Sequence, residues 1–221
     1  MPSELRVRFR HDLAEIDRRV VRLFTLVCES IAAATESLLA ADGDTARLVT
    51  GRDQLVDELE LEVEELVEHV LLTQSPMSGD MRYLLTVLRI VPQLERCGDL
   101  AEHVAQRGVT GLGARVPPNV RRLLDEMGDR CIDMWGQAGR AWAEREDLTA
   151  AGPLETADDR LDELHDELTR ALVEADIDRA DLMQATLVGR FYERLGDHAV
   201  HLAQRICYAT SGLPRSHRAA S

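Results

Sequence analysis

Not one lysine occurs among the 221 residues; all 26 bases are arginines, set against 40 carboxylates for a formal net charge of -14. That shortage of positive charge argues against DNA or RNA binding as a main task, because phosphate contacts call for a basic face. It argues equally against a simple phosphate carrier, and the surplus of carboxylates suits cations or basic protein surfaces better. No apolar run approaches the roughly 18 residues a membrane span needs, and Met1-Pro2-Ser3-Glu4-Leu5-Arg6 opens without a signal-peptide core, so a soluble cytosolic protein is expected. Cys28, Cys97, Cys131 and Cys207 stand singly with no C-x-x-C and read as free core thiols. Ser/His/Asp nucleophile arrangements and Gly-rich phosphate loops are missing too, which speaks against an enzyme.

Strand-like alternation is also absent, and what remains is helical. Leu13, Ile16, Val20, Leu23, Val27, Ile31 and Leu38 recur in steps of three and four or their sums, one stripe of a helix over about 5–41. Asp42-Gly43-Asp44 breaks it, with Asp44 as a candidate N-cap for a second helix carrying Leu48, Leu55, Leu59, Val63, Leu66 and Val70. Ser75-Pro76 signals the start of a third helix running to about Arg107, with Pro92 inside it as a kink or a break. The Gly- and Pro-rich stretch 110–118 reads as a linker. A fourth helix starts near Asn119, a fifth near Leu148 or Pro153, and a sixth spans about 178–210, ending at Ser211-Gly212-Leu213-Pro214 before a disordered tail. The expected fold is all-α: two pseudo-symmetric antiparallel three-helix bundles, 1–109 and 119–221, each long enough to bury a core of its own.

A dense polar pattern occurs twice. Glu95-Arg96-Cys97-Gly98-Asp99-Leu100-Ala101-Glu102-His103 returns as Glu193-Arg194-Leu195-Gly196-Asp197-His198-Ala199-Val200-His201, and both copies continue to an Ala-Gln-Arg. Glu95, Asp99 and His103 are four apart, about 40° between successive members, and so share a face. Glu193, Asp197 and His201 do the same. Each copy is matched by an Asp pair on the preceding helix, Asp53 with Asp57 and Asp158 with Asp162. Four carboxylates gathered across two helices repel unless a cation or arginines neutralise them, and such oxygen ligands suit hard ions, with iron, zinc or manganese favoured if a histidine joins. The helical wheel puts these acids away from the apolar stripes (Ile90, Cys97, Ala101 and Val104; Val188, Leu195, Ala199, Leu202 and Ile206), on an outer surface. Solvated acidic faces are the default there, and pairing with Arg96, Arg107, Arg194 and Arg205 is the alternative to metal. Gly98 and Gly196, costly inside helices, point to a close approach of another backbone. His69 and His165 read as solvated; His198 reads more readily as an ordinary residue than as a ligand.

With these motifs in place the chain resembles the PhoU family, accessory regulators of high-affinity phosphate transport in bacteria. Phe9-Arg10-His11-Asp12-Leu13, Gln74-Ser75-Pro76 with Asp80-Met81-Arg82, the two Asp pairs and the two E-R-x-G-D stretches carry the resemblance across nearly the whole chain. It implies two three-helix bundles with surface metal clusters, iron or zinc (manganese or magnesium being further options), at Asp53, Asp57, Glu95, Asp99, Asp158, Asp162, Glu193 and Asp197. His103 and His201 stand where the family usually has another polar residue and are additional candidates. The implied role is non-enzymatic and cytoplasmic: restraint of phosphate uptake and of the phosphate-starvation response, through contact with the transporter's ATPase subunit and a sensor histidine kinase. A homodimer without nucleic acid is the expected assembly. Two rivals stand beside it, a metal-free helical adaptor and a di-metal carboxylate oxidase. The oxidase lacks its Glu-x-x-His helices, the nearest match being Asp162-x-x-His165.

Overall fold

Heptad-spaced valines fix the second helix: Leu59, Val63 and Val70 of the expected stripe lie in the core, but Leu48 and Leu55 give way to Val49 and Val56. Val49, Val56, Val63 and Val70, with Leu59 and Val67, are buried, whereas Leu48 and Leu55 are exposed at 63% and 40%. The stripe is set by spacing, and the bulkier leucines drew the eye to a neighbouring face. The computed structural model describes residues 2–144 and 151–211. Their elements are α1 (Pro2–Ala40), α2 (Gly43–Thr73), α3 (Ser78–Val109), α4 (Leu112–Arg115), α5 (Pro118–Ala143), α6 (Ala151–Glu174) and α7 (Arg179–Ser211). Six long helices form two antiparallel three-helix bundles, α1–α3 and α5–α7.

The boundaries differ in physically instructive ways. Asp42, not Asp44, caps α2: its carboxylate accepts the Asp44 N–H at 2.9 Å and the Thr45 hydroxyl at 2.6 Å. Ser75-Pro76 does not open α3. Gln74 and Met77, on either side of Ser75-Pro76, stay extended, and the helix begins at Ser78 with Asp80 in its first turn. Pro92 causes no break, since α3 runs on from Ser78 to Val109. Its missing N–H costs the helix about 3 kcal/mol, offset by burial of the flanking Ile90, Val91 and Leu94. Gly152-Pro153 falls in the first turn of α6, where proline is tolerated. The Leu148 start, the Gly212-Leu213-Pro214 stop and the disordered tail lie outside the described residues.

Residues 110–118 do more than connect. Gly111 takes a left-handed turn (φ 76°), then α4 buries Leu112 and Gly113 against the end of α1. Arg115 forks onto Asp181 of α7 at 2.7 and 2.8 Å. The connection is therefore part of the packing.

The halves share one apolar interior. Phe24 of α1 meets Trp135 and Trp142 of α5, with centroids 6.3 and 6.4 Å away, and Tyr83 of α3 stacks on Trp142 at 5.7 Å. The Thr35 and Tyr192 hydroxyls bond across the halves at 2.9 Å. This central position accounts for the apolar character of α1: a window of mean hydropathy 1.5 makes it long and apolar enough to cross a membrane, although no uninterrupted apolar run exists, and half of that window is buried against neighbouring helices. Packing then leaves α2, α3, α7 and α6 side by side in that order, with α1 and α5 beneath.

Two glycines should respond oppositely to alanine. A Cβ at Gly113 would strike the Leu38 carbonyl, whereas one at Gly51 meets nothing within 4 Å. Gly113→Ala should cost about 2 kcal/mol and lower Tm by roughly 4–8 °C. Gly51→Ala, on an exposed stretch of α2, should gain about 0.5–1 kcal/mol. Thermal melts followed by circular dichroism check both.

Candidate metal centre

The first acidic seam lies between α2 and α3. Asp53 and Asp57 come from α2; Glu95 and Asp99 come from α3, where the buried Leu94, Cys97 and Ala101 turn the opposite face into the core. Gly98 lets the helices close: a Cβ there would lie 2.9 Å from Asp53 Oδ1. That oxygen is buried and has no hydrogen-bond partner among the described residues. Burial, then the charges of Asp99, Asp57, Glu102 and Glu95, push the Asp53 carboxyl up to about 7. Burial first and neighbouring acids second also raise Glu95 and Glu60, and burial raises Asp99, against which His103 works.

The second seam repeats the arrangement between α6 and α7. A Cβ at Gly196 would lie 2.8 Å from Asp158 Oδ1 and would also strike Leu161. Burial, then Asp162, Asp197, Asp159 and Glu193, push the Asp158 carboxyl up to about 6. Asp162 and Glu193 are raised too, burial leading in each. Glu193 has a partner in Arg190 of its own helix. The four acids foreseen in each half are thus neighbours across a helix pair, half-buried or exposed on the outer surface. They do not converge: among the described residues no three histidine, cysteine or carboxylate groups stand close enough to hold one ion.

Three participants escaped the sequence reading. Glu60 and Glu102 add charge to the first seam, Glu102 also accepting from Thr50 at 2.9 Å. His165, read as solvated, lies half-buried beside α7, 3.3 Å from where a Cβ of Gly189 would stand, and its charge bears on Asp162 and Glu193. A signal existed: Asp53-x-x-x-Asp57-Glu58-Leu59-Glu60 aligns with Asp158-x-x-x-Asp162-Glu163-Leu164-His165, which puts Glu60 and His165 in equivalent places. His103 packs its ring against Phe191 of α7, centroids 5.5 Å apart, and His201 is exposed. Arg96, Arg107, Arg194 and Arg205 form no ion pair with the seam acids among the described residues, so the arginine alternative is met only by Arg190, a residue outside that set.

The donor chemistry suits a cation, but the carboxylates of the described residues form no three-ligand cage for one. The donors are hard oxygens, one of them buried and unpartnered, in a cradle kept open by glycine, and their carboxyls are raised by burial and mutual repulsion. The linkage has a definite sign. A carboxyl raised from 3.8 to about 7 favours the folded state while protonated, and that contribution is lost as pH rises through about 7. In metal-free protein, Asp53→Asn should match wild type near pH 4 and exceed it in Tm above pH 7. A constant Tm difference across that range would contradict the assignment.

Comparison with known proteins follows the same internal duplication. The sequence matches the PhoU domain twice, over residues 20–108 and 124–206. It is 30% identical over 210 residues to the phosphate-specific transport system accessory protein PhoU homolog 1 of Thermotoga maritima, spanning 93% of this chain and 90% of that one. It is 28% identical over 211 residues to PhoU homolog 2 of Mycobacterium tuberculosis, spanning 94% and 99%. The fold superposes on the crystal structure of PhoU from Pseudomonas aeruginosa with a TM-score of 0.86 at 24% identity, covering 93% of this chain and 100% of that one. For the phosphate transport system regulatory protein PhoU from Streptococcus pneumoniae the TM-score is 0.81 at 20% identity, covering 93% and 98%. With both repeats matched, and with the two E-R-x-G-D stretches each closing a seam against the Asp pair of the preceding helix, the chain belongs to the PhoU family.

Proposed function

We propose that this protein is a non-enzymatic accessory regulator of phosphate uptake and of the phosphate-starvation response. It works in the cytoplasm, by contact with the phosphate transporter's ATPase subunit and with a sensor histidine kinase. The observation that carries the reading is the doubled seam, in which a helical glycine admits an aspartate of the neighbouring helix and leaves Asp53 Oδ1 buried without a partner. The relatives' names, accessory and regulatory proteins of phosphate transport, support the role, and the acidic surface suits a basic docking partner.

Asp53, Asp57, Glu95 and Asp99 would hold a cation at the first seam, and Asp158, Asp162, Glu193 and Asp197 at the second, with Glu60 and His165 within reach of their respective sets. A bound iron, zinc or manganese ion would supply positive charge that cancels the repulsion and ties the two helices of a seam together. The chain's own residues then provide a rigid outward face. The metal-free adaptor remains the second reading, favoured by carboxylates that do not converge.

Elemental analysis of protein purified without chelator should find metal. Chelation should lower Tm by about 5–10 °C, the shift expected if ions at 100 times Kd stabilise by about 2.7 kcal/mol. Gly98→Ala should weaken metal binding while barely altering the Tm of chelated protein, because the displaced atom is the end of a flexible side chain. Co-purification with the ATPase subunit and the kinase tests the regulatory role: capture with metal and loss on chelation are expected. Capture that ignores metal establishes the adaptor, and capture of neither partner overturns the regulatory reading.

A further inference from the structure

The seam between the two acidic ones has the opposite character. α3 and α7 run antiparallel: His103 contacts Phe191, and Arg107 Nε donates to Gln184 Oε1 at 3.1 Å. In such a pairing, equivalent residues of two repeats meet only near the axis relating them. Arg96 and Arg194, the second residues of the two E-R-x-G-D stretches, both line one cavity of about 410 Å³. Arg107, His103 and His198 line it too. Leu100, Leu187 and Phe191 give it an apolar wall, and Asp99 is its one carboxylate.

A concentration of arginines in a chain of net charge -14 calls for a reason. Among the described residues neither Arg96 nor Arg194 forms an ion pair with a carboxylate, although eight other arginines do. Arg107 is pre-positioned: it donates to the His103 carbonyl at 2.7 Å and lies over the Phe191 ring, 5.2 Å from its centroid. Two guanidiniums brought together at a repeat axis repel unless an anion sits between them. The planar fork of each matches two oxygens of a carboxylate or phosphate. A single fork saturates a flat carboxylate, whereas a tetrahedral phosphate group offers oxygens to both sides. The volume lies within the range of small-molecule sites, and the apolar wall has room for the remainder of a larger ligand.

We propose that the α3–α7 seam is an anion site in which Arg96 and Arg194 grip a phosphate group from opposite sides, with Arg107 beside them. The phosphate is either free inorganic phosphate or that of a nucleotide. The site shares Asp99 with the first acidic seam, but its arginines are not among the residues assigned to a cation there. It also qualifies the inference from net charge, which averages over a surface on which Arg96, Arg107 and Arg194 share one cavity.

Titration calorimetry at fixed ionic strength, with inorganic phosphate and with ATP as separate ligands, tests it on the full-length protein. Binding should weaken at least about tenfold, roughly 1.4 kcal/mol, in Arg96→Ala/Arg194→Ala. It should hold in Arg47→Ala/Arg122→Ala, which removes the same charge elsewhere. Arg96→Lys/Arg194→Lys keeps the charge and the stems but loses the forks, and should weaken binding severalfold. Tight binding of phosphate identifies the free anion; binding of ATP alone identifies a nucleotide. The proposal is overturned if neither ligand binds up to millimolar concentration, if both alanine pairs lose affinity equally, or if the lysine pair binds like wild type. Loss of metal or of partner capture leaves these outcomes unchanged, so the two readings fail separately.

Discussion

Everything on the outer face depends on how closely the helices beneath it pack. Thr35 of α1 sits where a Cβ of Gly128 in α5 would stand 2.5 Å away, and its hydroxyl reaches across to Tyr192 of α7. The same intimacy recurs at Trp135, whose indole N–H donates to the Leu195 carbonyl at 3.1 Å, one residue before Gly196. These contacts set the depth and phase of α7 against α5, and thereby the direction in which Glu193 and Asp197 point. The acids of the second seam are aimed from the core outward. Burial forces carboxylates together there at a cost that only a cation or a proton relieves.

The six long helices were legible because amphipathic periodicity over some thirty residues leaves few alternatives. So was the grouping of the eight acids across two helix pairs, because duplication marks them. Other features depend on information a single strand of text does not carry. Val49, Val56, Val63 and Val70 take the core side of α2 because α1 and α3 approach from that direction, and Leu48 and Leu55 lose only by phase. Pro92 could have ended α3, and only the burial around it decides that the helix continues. The stretch 110–118 looked like a tether, yet Leu112 has a place in the core.

The E-R-x-G-D stretch divides its labour by position. Glu and Asp face the neighbouring helix of their own repeat, Gly removes the Cβ that would block an aspartate from that helix, and Arg turns the other way, toward the opposite repeat. Four of the five positions therefore serve two different seams, and the motif is the edge where they join. The sequence showed which residues recur; the packing shows that their recurrence serves both a site within each half and a junction between halves.

The placing of Arg96 and Arg194 at one cavity has a further consequence, one of symmetry. A single chain that carries its own approximate two-fold axis presents nearly the same surface when turned through half a revolution. A partner that is itself two-fold symmetric can be matched by one copy, each half engaging one of its subunits, with no requirement that this chain dimerise. Against a partner lacking such an axis, two poses become nearly equal in energy. The choice between them falls to the places where the repeats diverge, among them Glu60 against His165, Leu100 against His198, Glu102 against Val200 and Gln93 against Phe191. Orientation is written in those differences.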